Sequence, residues 1–227
     1  ICINIKENYA TIMEINTETD FAAKNSDFLN FVKKINSLSI DASTIKDILE
    51  IHDEKNISIN EMLTNLISKI GENIVLKNFY KITNNNKSKV FGYVHNCYDK
   101  DIGKIGCLLK IEAEYFDDEL NKLAKNVCMH IAATKPLAIK IDDLEEKLIN
   151  NEKSILLENI KSSGKNKDII DNILKGKINK FYEEVVLLEQ KYIIDNETKI
   201  KDLFINYSKK VNVFANIVEF KFLVLGN

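Results

Sequence analysis

The chain has 227 residues and a formal charge of -2, from 32 basic and 34 acidic side chains, which argues against general nucleic-acid binding, since that wants a basic stripe to neutralise phosphates. All 32 basic residues are Lys, so the bidentate guanidinium forks with which many enzymes clamp phosphates are lacking. The longest apolar stretches are short and broken by Lys, Asp or Asn, and nothing reads as a signal peptide or a membrane span.

In chain order, Ile1-Cys2-Ile3-Asn4-Ile5 and the stretch Tyr9 to Asn16 alternate as strands do, with Lys6-Glu7-Asn8 as the hairpin turn between them. Thr17-Glu18-Thr19-Asp20-Phe21-Ala22-Ala23-Lys24-Asn25 then leads from strand to helix. It sets a large aromatic, Phe21, beside Asp20, where turn chemistry favours small polar residues. Spacing alone leaves two readings: Phe21 plugs the core, or it is presented to something else. Phe28, Phe31, Val32, Ile35 and Leu38 fall at helical spacing, with Asn25 or Ser26 placed to cap the start. Ile45, Ile48 and Leu49 predict a second helix. Met62, Leu63, Leu66, Ile67 and Ile70 predict a third, closed by Gly71.

From Ile74 the pattern returns to strands: Ile74 to Ile82, a turn at Asn84-Asn85-Asn86, then Val90 to Cys97 and Lys104 to Ile111. Asp118 to Ala133 reads as a helix that ends before Lys135-Pro136. The expected class is α+β, with two related subdomains, 1–87 and 88–227, each of small antiparallel sheets and packed helices. Residues 142–188 carry two apolar stripes, Leu144, Leu148, Ile155, Ile160 and Ile169, Ile170, Ile173, Leu174, Ile178, Phe181, around Ser162-Ser163-Gly164-Lys165. That predicts an inserted antiparallel helical hairpin, a coiled coil. Phe214 to Leu225 alternates as a last strand that rejoins the second sheet.

Catalytic chemistry is hard to find. Cys2, Cys97, Cys107 and Cys128 are scattered, without a Cys-x-x-Cys pair, and His52, His95 and His130 do not complete a metal cluster. Reduced, mostly buried thiols are expected. Ser163-Gly164-Lys165 lacks the upstream glycine and downstream hydroxyl of a phosphate loop and sits between helices, so it reads as a turn. The carboxylate pairs Asp117-Asp118, Asp142-Asp143, Glu145-Glu146 and Glu183-Glu184 lie near helix starts or on polar faces, where acidic residues favour the helix dipole. His130, near a helix end, reads by periodicity as a core or helix-end histidine, and no nucleophile is recognisably paired with it. No catalytic residue, cofactor or metal is expected. Any acceleration would come from binding.

Several ordered motifs carry a resemblance. Asn8-Tyr9, Glu14-Ile15-Asn16 and Thr19-Asp20-Phe21-Ala22-Ala23-Lys24-Asn25 resemble the signature of elongation factor Ts, the nucleotide exchange partner of EF-Tu. Lys69-Ile70-Gly71-Glu72-Asn73-Ile74 is similar to the family's second signature, and Lys104-Ile105-Gly106-Cys107-Leu108 to its Ile-Gly strand. Met129-His130-Ile131-Ala132-Ala133-Thr134-Lys135-Pro136 resembles its His helix end, and Ser163-Gly164-Lys165 with Gly176 to Gln190 its coiled-coil hairpin and return. The likeness spans almost all of the chain. It begins past the small helical module with which family members usually start and stops before the C-terminal helix of many members.

The resemblance implies a guanine-nucleotide exchange factor without covalent or acid-base chemistry. Phe21 would be the wedge and Asp20 its polar companion, presented toward the Mg²⁺ region of EF-Tu's GDP site. Thr19, Lys24 and Asn25 would complete that contact. Ile105, Gly106 and His130 would be secondary contacts, with Gly106 allowing close backbone approach. The implied partner is EF-Tu in GDP-bound and nucleotide-free forms, with no direct nucleic acid and no membrane. The resemblance leaves room for a homodimer or a heterotetramer with EF-Tu. A holder of EF-Tu that does not drive exchange is the alternative. The bias toward Lys, Asn and Ile suggests an AT-rich genome, hence a plastid-type organelle such as an apicoplast, or a mitochondrial matrix, with bacterial cytoplasm as the alternative.

Overall fold

The computed structural model describes residues 1–161 and 167–226. The architecture is α+β. Six strands form one curled antiparallel sheet: β1 (Cys2–Ile5), β2 (Tyr9–Thr17), β3 (Ile74–Thr83), β4 (Ser88–Asp99), β5 (Ile102–Ala113) and β6 (Ala215–Val224). Its order is β3-β2-β1-β5-β4, with β6 also pairing β5. Eight helices are present among the described residues: α1 (Asp20–Ala23), α2 (Ser26–Leu38), α3 (Ile45–Glu50), α4 (Ile59–Ile70), α5 (Asp118–Thr134), α6 (Glu146–Lys161), α7 (Lys167–Val185) and α8 (Ile200–Val211).

The two strand groups that the sequence suggests, β1 to β3 and β4 with β5, meet at a narrow seam. Cys2 pairs with Ile102, Ile3 N–H donates to the Asp101 carbonyl at 3.0 Å, and Gly103 N–H to the Ile1 carbonyl at 2.8 Å. Compactness divides the chain elsewhere than at residue 87: one unit holds Ile1–Ala132 with Asn216–Asn227, the other Ala133–Ala215. A strand left with an open ladder edge has unpaired donors and acceptors, and these bonds satisfy some of the backbone groups at the facing edges of β1 and β5.

In the first unit, helix starts and stops follow local chemistry. Asn25 caps α2, its Oδ1 accepting from Asp27 N–H at 2.8 Å. Thr44 with Asp47 and Ser58 with Glu61 form reciprocal capping boxes on α3 and α4. Gly71, at φ 77°, ends α4 in the left-handed conformation that glycine adopts without a Cβ penalty. The buried stripe of α2, Phe28, Phe31, Val32 and Ile35, packs with Ile48, Leu66, Met13, Ile15 and Ile74. Each such side chain contributes about 1.5–3 kcal/mol on leaving water. The other sheet face buries Ile3, Ala10, Ile12, Ile82, Val90, Leu108 and Leu223.

In the second unit, Ala138, Leu144 and Val186 form a small core joined by Leu148, Ile149, Phe181 and Tyr182. Through those residues α6 and α7 lie against one another, although a coiled-coil seam is not established. The expected Ser163-Gly164-Lys165 turn lies outside the described residues. Helix α8 was not among the sequence expectations. It buries Ile200, Phe204 and Tyr207, and its left-handed C-cap is Asn212 at φ 52°. Lys199 bridges Glu183 and Glu189 at 3.1 and 2.9 Å.

Candidate functional site

Strand β2 delivers the chain to the Thr19–Asn25 turn just past a register shift. Between Glu14 and Ile15 the pairing jumps from Asn78 to Leu76, so β3 carries Lys77 as an extra residue with no counterpart in the β2 ladder. Such a bulge bends the sheet locally and re-aims the segment beyond it. Glu14 is buried there; Asn78 Nδ2 donates to its Oε2 at 2.6 Å, and Lys77 Nζ stands 3.6 Å from its Oε1.

Thr19 is extended and caps α1, its Oγ1 accepting from Ala22 N–H at 3.2 Å. A four-residue helix is far too short to persist on its own propensity, so its anchors decide its shape. Ala22 and Ala23 are buried beneath it. Glu72 receives two hydrogen bonds from Thr19: N–H to Oε2 at 3.1 Å and Oγ1–H to Oε1 at 2.7 Å. Asp20 is held by Lys104, whose Nζ lies 2.9 Å from Oδ1, and by the Tyr98 hydroxyl, which donates to Oδ1 at 3.2 Å. The Lys104 hydrogen bond, then its charge, then the Tyr98 hydroxyl hold the Asp20 carboxyl below its ordinary range. Hydrogen bonding to Asp20 raises the Lys104 ammonium in turn. Lys24 and Lys104 each lie over the Tyr98 ring, 5.9 Å from its centroid.

Phe21 is 88% exposed. The core-plug reading therefore fails: the ring stands off the turn in solvent. Beneath the turn is a cavity of about 330 Å³ with Ile15, Thr17, Asp20, Val32, Tyr98 and Lys104 among its walls, and Phe21 is not one of them. The turn thus buries its alanines, pairs its anion and leaves its one large apolar group in water.

The remaining expected site residues fall into two sets. Lys24 is exposed and Ile105 half-buried, so both keep surface for a partner. Asn25 spends its carbonyl oxygen on the α2 cap. Gly106 is buried, and a Cβ there would meet Ile1 Cγ2 at 2.5 Å and Ile12 Cδ1 at 3.1 Å. The close approach that needs this glycine is made by the chain's own side chains, which corrects the expectation that it serves a partner's backbone. His130 is completely buried in α5, so it offers no surface for the direct contact expected of it.

Sequence reasoning did not mark Glu72, Tyr98 or Lys104 as site residues. Glu72 and Lys104 stand inside family-like motifs, but only the folded chain brings them to residues 53 and 84 positions away. Among the described residues, no group of three or more His, Cys, Asp or Glu is placed to hold a metal ion.

A family model described as elongation factor TS matches residues 18–227. The chain is similar to elongation factor Ts of Rhodospirillum centenum, 34% identical over 218 residues that cover 94% of this chain and 70% of the relative. It is 38% identical over 208 residues to that of Halothermothrix orenii, covering 90% and 67%. Against that of Ehrlichia chaffeensis it is 32% identical over 230 residues, covering 100% and 79%. The match runs from the Phe21 turn through the last strand, so the chain belongs to the elongation factor Ts family.

Proposed function

We propose that the chain is a guanine-nucleotide exchange factor: it binds EF-Tu·GDP, disturbs the Mg²⁺ and phosphate region and speeds GDP release. The observation that carries this reading is Phe21, 88% exposed on a turn whose alanines are buried and whose Asp20 is paired. An apolar ring left in water costs free energy that burial against a partner recovers. Mg²⁺ in nucleotide sites is held by few protein ligands plus phosphates and waters, so a small displacement of the partner's backbone there weakens the ion and the diphosphate together.

A ten-thousandfold gain in release rate needs about 5.5 kcal/mol, whereas burying one Phe gives roughly 1.5–3 kcal/mol. The rest comes from a broad interface that prefers the nucleotide-free partner, to which Lys24 and Ile105 contribute. By linkage, the factor weakens GDP binding as much as GDP weakens the factor's binding. The action is binding alone, with no bond made or broken by the chain.

The bacterial origin of the relatives supports a bacterial cytoplasmic setting over the plastid or mitochondrial one suggested by composition. The test is stopped-flow release of a fluorescent GDP from EF-Tu with the native chain and with Phe21→Ala. The native chain speeds release, and the variant loses most of that while still binding. Equal acceleration by both would assign Phe21 no part in exchange. Binding without acceleration by the native chain would favour a holder of EF-Tu instead.

A further inference from the structure

The geometry points to Glu72 as a positioning residue that sets where Phe21 stands. The inference rests on the exchange function proposed above and names the device that readies its wedge. Glu72 follows Gly71, whose left-handed backbone ends α4 and turns the chain toward β3. From that corner its two carboxylate oxygens accept the N–H and the Oγ1–H of Thr19.

Every polar group of Thr19 is then engaged. Its N–H and hydroxyl proton go to Glu72, its hydroxyl oxygen accepts from Ala22 N–H, and its carbonyl accepts from Ala23 N–H and from Thr17 Oγ1. With the hydroxyl proton held by the carboxylate, an Oγ1 lone pair is aimed at the first turn of α1. Hydrogen bonds to an ionised acceptor are the stronger kind. Phe21, two residues on, is 88% exposed, so it has little packing of its own and inherits its direction from the backbone of α1. Asp20 is tied to Lys104 on β5, and Thr19 to Glu72 at the head of β3. The wedge is thereby fixed from two sides before any partner arrives, and the ordering cost of a floppy loop does not arise at the moment of exchange.

A merely structural Glu72 would stabilise the fold without acting through Phe21, and a double-mutant cycle separates the two roles. GDP release from EF-Tu is followed in stopped flow with the full chain, F21A, E72A, E72Q and F21A/E72A. In parallel, hydrogen exchange at the Ala22 and Ala23 amides is read by NMR. Losing a charged hydrogen-bond acceptor is expected to lower the saturating release rate about tenfold in E72A. The half-saturating concentration changes little, because the broad interface is intact. E72Q keeps one acceptor and recovers part of the rate. F21A/E72A is no slower than F21A, and the two amides exchange about tenfold faster in E72A, by the same loss of a charged acceptor.

An E72A rate equal to native, or a double variant slowed below F21A by the full E72A factor, overturns the inference. Unchanged amide exchange in E72A overturns it as well. If E72A does not fold, E72Q is read in the same cycle by the same criteria. A native chain that leaves GDP release unaltered, while E72A still loosens the two amides, sinks the exchange function and leaves the clamp standing.

Discussion

Lys104 reaches across 84 residues of sequence to close on Asp20, its Nζ 2.9 Å from Oδ1 and 3.0 Å from Oδ2. The pair neutralises the one anion beside Phe21, so the ring is presented next to a paired carboxylate rather than a free one. The Asp20 carboxyl titrates below its ordinary value of 3.8 because Lys104 favours the charged form. A lowered carboxylate stabilises the fold above its unfolded value and loses that contribution as pH falls through the folded one. Lys104 is raised above 10.5, so its share is complete below that value and lost as pH rises through the folded one. Between those limits the pair is intact, and exchange is expected to be insensitive to its titration from pH 5 to 8. Carbon NMR of the Asp20 carboxyl will show its midpoint moving up in Lys104→Ala; an unmoved midpoint would refute the pairing.

Phe21→Ala leaves stability within about 0.5 kcal/mol of the native chain, as expected for an exposed side chain without special contacts. Urea unfolding checks this. A loss of about 3 kcal/mol or more, the size that truncating a core Phe produces, would return Phe21 to the interior.

Two glycines separate crowding from backbone strain. At Gly106 a Cβ collides with Ile1 Cγ2 at 2.5 Å, and Gly106→Ala is expected to cost about 1–3 kcal/mol by overpacking. Shrinking the neighbour in Ile1→Ala/Gly106→Ala recovers part of it. At Gly71 nothing lies within 4 Å of the added Cβ, so Gly71→Ala costs only the left-handed backbone penalty, about 1–2 kcal/mol. No neighbouring truncation rescues that one. Denaturant titration of these variants distinguishes the cases, and rescue at Gly71 would contradict the assignment.

His130→Ala is expected to destabilise the chain by about 2 kcal/mol or more, since it empties a completely buried site. Any loss of exchange should then follow the folded fraction. Unchanged urea stability combined with slower GDP release would instead restore His130 as a partner contact.

The elements were legible wherever period and punctuation agreed. The strand-turn-strand of Cys2 to Thr17, the α2 stripe with its Asn25 cap, and the Gly71 stop are all where local pattern puts them. Helix α8 escaped because its start carries no cap signal: the N-cap, Lys199, makes no side-chain cap bond. Ile200, Phe204 and Tyr207 at i, i+4 and i+7 were the available signal. The turn itself stood out as an aromatic in the wrong place, but spacing cannot tell an aromatic that enters the core from one that leaves it. That is decided by the burial of Ala22 and Ala23 and by Glu72, Tyr98 and Lys104, which reach the turn only through tertiary structure.

The seam between β1 and β5 also sets an order of events in folding. Lys104 sits at the start of β5, two residues past the Cys2–Ile102 pair, so the Asp20 clamp cannot form before that long-range pairing is made. Loop closure over such a span is slow compared with helix or hairpin formation. During synthesis, residues 1–70 emerge while the Phe21 turn still lacks Glu72, Tyr98 and Lys104. The clamp is therefore completed only after residues through Lys104 have been made and β5 has paired, and a chain terminated before that point carries the motif without the means to hold it in place.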